Sequence, residues 1–327
     1  MNWLERVSAG AETALPGKRS KRWLFGLLPW VLLALALLLV FSQVRRPALL
    51  VDVWVPWIEV GTLAFVMTAI ILTGGIDLSV GSMVALTGMV QAILWQDWGW
   101  SIQAAAGGAL LAGALAGGLN GLLVVAGLSP LVATLATMAL YRGLAITVAG
   151  GERVTGFPQS FLDMGRLLGI PSQFWLAGLV FLGMVLLVHH SRFGRWCFAM
   201  GDNRQAARFA AVPVNKVEGV LYTINGLVAA SVAVLGAMRH DASIPDAHIG
   251  TELQVIACVV VGGTLITGGR GSVLRSLLGL AVISHLDVGL QFLSSRLVWL
   301  TAESRLIAIG ILLILVAVWN QRSQKES

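Results

Sequence analysis

Charge is scarce in this chain. Asp, Glu, Lys and Arg make up only 12% of its 327 residues, against 57% hydrophobic. A water-facing domain carries about 25% charged residues, so the polar groups needed to coat a soluble surface are missing. Cysteine is nearly absent. Cys197 and Cys258 stand far apart in sequence, which gives neither a disulfide framework nor a metal-ligand spacing. No G-x-x-x-x-G-K-[ST] phosphate loop occurs, so ATP is not expected to bind through such a loop here. No Ser-His-Asp order and no zinc spacing stands out, so neither a catalytic apparatus nor a resident metal or cofactor is expected.

What the chain has is apolar length. A bilayer-crossing helix needs about 20 mostly apolar residues. Ten stretches qualify: Trp23–Val44, Val51–Leu72, Val80–Trp95, Ile102–Gly127, Leu131–Ala149, Phe174–His189, Val217–Met238, Leu253–Ile266, Leu274–Leu293 and Arg305–Trp319. They run without the polar alternation of barrel strands, and in lipid only helices or closed barrels satisfy the backbone. The expected fold is therefore all-α: a polytopic membrane protein of about ten transmembrane helices with both termini cytoplasmic. Residues 1–22 and 320–327 read as cytoplasmic tails, and 23–319 as one transmembrane domain. The basic run before Trp23 resembles a signal sequence. Its apolar stretch is too long and no small-residue cleavage site follows, so it reads as an uncleaved first span.

The net charge of +6 fits this layout better than nucleic-acid binding. Of the 22 Lys and Arg, 14 fall in inside segments, seven in outside ones, and one, Arg142, within a span. That is the positive-inside pattern. Tryptophans such as Trp23, Trp54, Trp95, Trp175 and Trp319 mark span ends, as an interfacial belt does.

The 38 glycines exceed what anchoring needs. Gly113, Gly117 and Gly121 share one helix face, where small residues admit a second helix closely. Two segments interrupt the helical pattern: Gly74-Gly75-Ile76-Asp77-Leu78-Ser79-Val80-Gly81-Ser82, and Val261-Gly262-Gly263-Thr264 with Gly268-Gly269-Arg270-Gly271-Ser272. Paired glycines disfavour helix, and Asp77 and Ser79 suit helix N-caps. Such breaks are either tight turns at the inner surface or the broken helices transporters place beside substrate.

Between the sixth and seventh spans lies a basic inner loop, residues 191–216. Its stretch Gly201-Asp202-Asn203-Arg204-Gln205-Ala206-Ala207-Arg208-Phe209 reads as a short capped helix, with Asp202 or Asn203 as cap and Pro213 ending it. Ala206, Phe209 and Ala210 form one face, and Arg204 and Arg208 another. A helix of this kind docks into a partner's groove or rests on lipid headgroups.

These three motifs, in this order, resemble the ribose/xylose-type permeases of ABC importers, a family that includes autoinducer-2 permeases. The resemblance runs from about the second span to the last. It implies a pathway formed with a second permease subunit, identical or paralogous, two cytoplasmic ATPase subunits that consume the ATP, and a periplasmic substrate-binding protein. Residues Gly201, Asp202, Asn203, Ala206, Ala207, Arg208 and Phe209 would then be the coupling segment, and the bacterial inner membrane the location. The chain departs from the family pattern at Ala211, where glycine is common, and at Gln254 and near Asp287.

Ionisable groups inside spans are functional candidates because lipid makes them costly. Asp77, Arg142, Glu218, Glu252, His285 and Asp287 qualify, with Glu218 and Glu252 near enough to span ends to snorkel. Arg142 sits deep and reads as paired or facing a polar cavity. His285 and Asp287, two apart on a helix, make a poor metal pair. Candidate pathway residues are Asn120, Arg142, Asn225, Gln254, His285 and Asp287, beside the helix-break residues Gly74, Gly75, Asp77, Ser79, Gly262, Gly263, Gly268 and Gly269. The leading expectation is a permease subunit for a monosaccharide or related polyol. The alternative is an ion-coupled secondary transporter, motivated by the buried ionisable groups, and a third reading is a membrane scaffold.

Overall fold

The computed structural model describes residues 48–294 and the helical positions 307, 310, 311 and 314. The expected first span and both tails lie outside the described residues, as does most of the expected tenth span. The described chain is a helical bundle: α1 (Ala48–Leu72), α2 (Val80–Gln96), α3 (Ile102–Val125), α4 (Pro130–Val148), the short α5 (Gln159–Leu162), α6 (Ser172–His189), α7 (Arg192–Asp202), α8 (Arg204–Phe209), α9 (Val214–His240), α10 (Thr251–Val261) and α11 (Val273–Ser294). Six described helices are long and apolar enough to cross a membrane, while Val80–Gln96 and Thr251–Val261 are shorter apolar helices. Four two-residue strands, β1 (Val154–Thr155), β2 (Arg166–Leu167), β3 (Ile170–Pro171) and β4 (Ala242–Ser243), lie in the loops on the side away from α7 and α8. β1 pairs antiparallel with β4, and β2 with β3.

Span positions match the apolar stretches closely because length and hydropathy alone set them. The eighth differs. Leu253–Ile266 was expected as a span, yet α10 has 11 residues, about 16 Å of helix, half of a ~30 Å hydrocarbon core. Gly263, with φ of 86°, ends it in a conformation that L-residues avoid. The non-helical stretch 244–250 leads into it.

The basic inner loop also differs: it holds two helices. Ser191 caps α7 by accepting from the amides of Phe193 and Gly194 at 3.0 and 3.3 Å. Asn203 caps α8, accepting from Ala206 N at 2.9 Å, whereas Asp202 ends α7. Glu218, read as free to snorkel, is instead buried and paired with Arg204 at 2.7 Å.

α1 forms the centre of the core: Leu63, Ala64, Val66, Met67, Ala69, Ile70, Ile71 and Leu72 are all 0% exposed. A span buried all round is surrounded by protein and not by lipid. α3 crosses α9 at backbone contact. A Cβ added at Gly117 would strike the carbonyl oxygen of Tyr222 and come within 3.0 Å of Gly226 Cα, and one at Gly113 would strike Gly226 O. The glycine stripe therefore packs within the chain.

Gly117→Ala should cost about 1–3 kcal/mol by overpacking this crossing, read as a lowered unfolding temperature of the detergent-solubilised protein. Gly107→Ala, where the added methyl meets nothing within 4 Å, should leave that temperature unchanged or slightly raised.

Candidate functional site

The first helix break carries the deepest polar chemistry. α1 ends at Leu72. The chain reverses through Gly74, at φ of 80°, with Gly75 N donating to Ile70 O at 3.1 Å. This turns Ile76 and Asp77 back into the bundle before α2 begins. Asp77 is 0% exposed. A carboxyl there must be hydrogen-bonded or its burial is prohibitive. Donors come from three elements: Ser79 N at 2.9 Å and Ser79 Oγ at 2.7 Å from the break itself, Asn225 Nδ2 at 2.9 Å from α9, and Asn120 Nδ2 at 3.3 Å from α3. Asn120 Nδ2 also donates to Ser79 Oγ at 2.7 Å. On α4, the Tyr141 hydroxyl lies 3.0 Å from Asn120 Oδ1 and 2.8 Å from Ala116 O. On α9, the Tyr222 hydroxyl donates to Ile76 O at 3.2 Å. Ser79 occupies the N-cap of α2 without a side-chain capping bond, since its hydroxyl is committed to Asp77. Asn225 Oδ1 is buried with no partner among the described residues.

Four sequence-named residues, Asp77, Ser79, Asn120 and Asn225, thus form one knot. Arg142 stands apart. Its Nη1 donates to Pro245 O at 3.0 Å and to Ala247 O at 2.7 Å, and the carboxylates of Glu252 and Asp246 act on it electrostatically. Gln254 is in the first turn of α10. His285, on α11, approaches Ala281 O with Nδ1 at 2.7 Å and packs its ring against Trp54 with centroids 4.1 Å apart. Asp287 follows on α11 and has interactions of its own.

At one end of the bundle the two breaks and the basic loop 191–216 meet through backbone. Gly269 N donates to Leu72 O at 3.0 Å. A Cβ at Gly201 would strike Leu72 O and Gly269 N, and one at Gly268 would fall 2.8 Å from Gly74 N and 3.0 Å from Gly201 Cα. Gly262 lies elsewhere, against the backbone of Arg275 and Ser276 on α11. From the junction α8 projects outward. Ala207 is buried and Arg208 exposed, while Phe209 is 92% exposed. Ala211 holds φ of 59°, a left-handed conformation in which glycine is free of strain, so the glycine common at this position in the resembling permeases has a backbone reason. Burial pushes the Cys197 thiol in α7 up to about 12, which keeps it protonated and unreactive.

Three residues escaped the sequence reading. Glu59, on α1, is 5% exposed and lies 3.8 Å from Arg239 Nε. Its position within the run Val51–Leu72 was the available signal. Tyr141 and Tyr222, the chain's two tyrosines, sit in apolar runs where nothing distinguishes a hydroxyl with a partner from a packing ring.

Helices broken around a buried polar knot, inside a bundle of apolar spans, define a polytopic integral membrane protein. Residues 50–317 match the family described as branched-chain amino acid transport system / permease component. The chain belongs to this permease family, in agreement with the resemblance that its three motifs carry. It is 35% identical over 267 residues to the ribose import permease protein RbsC of Escherichia coli strain K12, covering 79% of this chain and 81% of that protein. The Bacillus subtilis strain 168 RbsC is 36% identical over 278 residues, covering 77% and 80%. The autoinducer 2 import system permease protein LsrD of Yersinia enterocolitica is 35% identical over 271 residues, covering 80% of each. No solved structure matches. The chain is a multi-pass protein of the bacterial inner membrane.

Asp77→Leu removes the acceptor shared by Ser79, Asn120 and Asn225. Each buried donor left unpaired costs about 1–3 kcal/mol, so the variant should lose most of its folded yield after detergent extraction. Asp77→Asn, which keeps one acceptor oxygen, should lose less, as gel-filtration profiles of the two proteins would show.

Proposed function

We propose that this chain is the membrane-spanning permease subunit of an ATP-binding cassette importer that carries a monosaccharide or related small polyol into the cytoplasm. Separate ATPase subunits drive it. The observation that carries this reading is the inner junction. An exposed short helix, α8, is continuous with Gly201–Asp202, which packs backbone against backbone on both helix breaks. A force applied at Phe209 therefore has a stiff route to the membrane interior.

The names of the relatives, ribose import and autoinducer 2 import permeases, support a small polyhydroxylated solute. The arrangement proposed is two permease subunits, identical or paralogous, two ATPase subunits seated on α8 and its neighbours, and a periplasmic substrate-binding protein. The domain plan is ten spans within 23–319, a coupling loop at 191–216, and cytoplasmic tails at 1–22 and 320–327. The chain itself is not an enzyme in this scheme, because ATP is bound and hydrolysed by its partner. Gly201, Asp202, Asn203, Ala206, Ala207, Arg208 and Phe209 serve coupling, and the Asp77 knot holds the break in register.

Reconstituted with its ATPase and binding protein in liposomes, the chain should import radiolabelled D-ribose or a related sugar only when ATP is supplied, and alone it should hydrolyse none. Sugar import by the isolated chain under an imposed proton or sodium gradient would overturn this reading in favour of a secondary transporter. Phe209→Ala together with Arg208→Glu should leave membrane insertion intact and weaken ATPase docking by about 2 kcal/mol or more, the loss typical of a central aromatic or arginine contact. Co-purification of the ATPase with the double variant, undiminished and with full uptake, would remove α8 from the coupling role.

A further inference from the structure

The segment between β4 and α10 lies at membrane depth. Gly88 and Gly81 on α2 set a ruler against it. An added Cβ at Gly88 would lie 3.7 Å from Ser243 Oγ, and one at Gly81 would strike His248 O. At 1.5 Å per residue, these positions are about 12 Å and about 22 Å below the outer end of α2 at Gln96. A second ruler agrees. Arg142, which holds the segment by Pro245 O and Ala247 O, adjoins Tyr141, and Tyr141 is bonded at Ala116. Ala116 sits about 21 Å from the outer end of α3 and about 14 Å from its inner end. The stretch thus descends from the outer face to the middle of the bilayer. There Gly250, at φ of 83°, gives way to α10.

Two constraints then act on it. Non-helical backbone at this depth is tolerated only inside protein or along a water-filled cavity. A charged side chain at this depth faces the bundle interior or water, not lipid. Asp246 is exposed on the surface of the described chain, as are Ile244 and Ile249, the latter at 71%. An exposed carboxylate on non-helical backbone, halfway through the membrane, marks a wet surface. Asp246 falls between the expected spans Val217–Met238 and Leu253–Ile266, and nothing in the linear order reveals the descent.

We propose that the re-entrant segment Ser243–Gly250 lines the water-filled solute path, and that the Asp246 carboxylate accepts hydrogen bonds from the hydroxyls of a neutral polyhydroxylated solute. Arg142 is the positioning residue, since both bonds from its Nη1 go to the carbonyls that flank Asp246. This rests on the importer reading above. A carboxylate suits such a solute because it offers acceptors to several hydroxyls at once, while the apolar Ile244 and Ile249 beside it suit the carbon face of a sugar ring.

The test uses the full complex in proteoliposomes and a water-borne cationic thiol reagent, 2-(trimethylammonium)ethyl methanethiosulfonate. The native Cys197 and Cys258 are both 0% exposed and can stay. Asp246→Cys and, should that variant assemble poorly, Ile249→Cys should react about tenfold or more faster than Leu115→Cys on α3 and Leu179→Cys on α6, because a thiol reacts as the thiolate, which forms in water and not in lipid. Asp97→Cys, in the exposed turn after α2, reports reagent access. The sugar that the unmodified complex imports with ATP should slow the reaction at position 246 severalfold. Labelling no faster than at Leu115 and Leu179 overturns the wet surface, and fast labelling indifferent to that sugar overturns the solute contact. If the unmodified complex imports no sugar with ATP, it is the importer reading that fails, while the labelling rates still decide whether the segment is wet.

Discussion

A carboxyl with no water around it has to be enclosed by donors, and much of this bundle is arranged to enclose Asp77. No single helix can supply them. The break at Gly74–Gly75 turns Asp77 inward, and α3 and α9 each bring an amide to it. Those two helices reach the same carboxyl because Gly113, Gly117 and Gly226 let their backbones touch. With side chains at that crossing, the helices would stand further apart, and Asn120 and Asn225 could not share one acceptor. The small-residue stripe and the polar knot are therefore one device: close packing sets the distance and hydrogen bonding uses it.

The inner junction works by the same economy of atoms. Where Gly201, Gly268 and Gly269 meet Leu72 and Gly74, main chain rests on main chain and no flexible side chain intervenes. Such a contact transmits displacement with little slack, because packed interiors shift between discrete arrangements and do not deform smoothly. From Leu72 the chain needs only five residues to reach Asp77, and from Asp77 the first turn of α2 leads to Gly81, against which the re-entrant segment lies. α7 and α8, the polar knot and the segment before α10 are thus neighbours along one continuous path through the protein.

Legibility in the sequence follows the range of the force involved. Spans such as Ile102–Val125 and Pro130–Val148 were legible because hydropathy over about 20 residues decides them. The Asn203 cap was legible because a cap acts within three residues. α7 was legible too, though the reading of the loop passed over it: Phe193, Trp196, Cys197 and Met200 recur at the i, i+3, i+4, i+7 spacing of an amphipathic helix, whereas its Gly194 and Gly201 are explained only by the backbone each one meets. Asp77 stands out in the sequence as a cap candidate and a helix-break residue, and it does accept from Ser79 N two residues on, but it also accepts from Asn120 and Asn225, 43 and 148 residues away, which no local rule gives. Glu218 was taken for a residue reaching water because its partner, Arg204, belongs to an element whose position relative to α9 no local rule gives.

By itself the sequence determined the solvent this protein lives in, the order of most of its described spans, the places where helix must stop, and the cap that starts α8. Each of these depends on residues within about one span of each other. Only the tertiary structure decided that the two breaks meet at Gly201, that Asn120 and Asn225 share a carboxyl, and that the apolar stretch Leu253–Ile266 is a half-length helix preceded by the non-helical segment 244–250. Those outcomes depend on where distant helices touch, and that is settled by steric fit and by the need to pair every buried polar group, neither of which is written in any local stretch of chain.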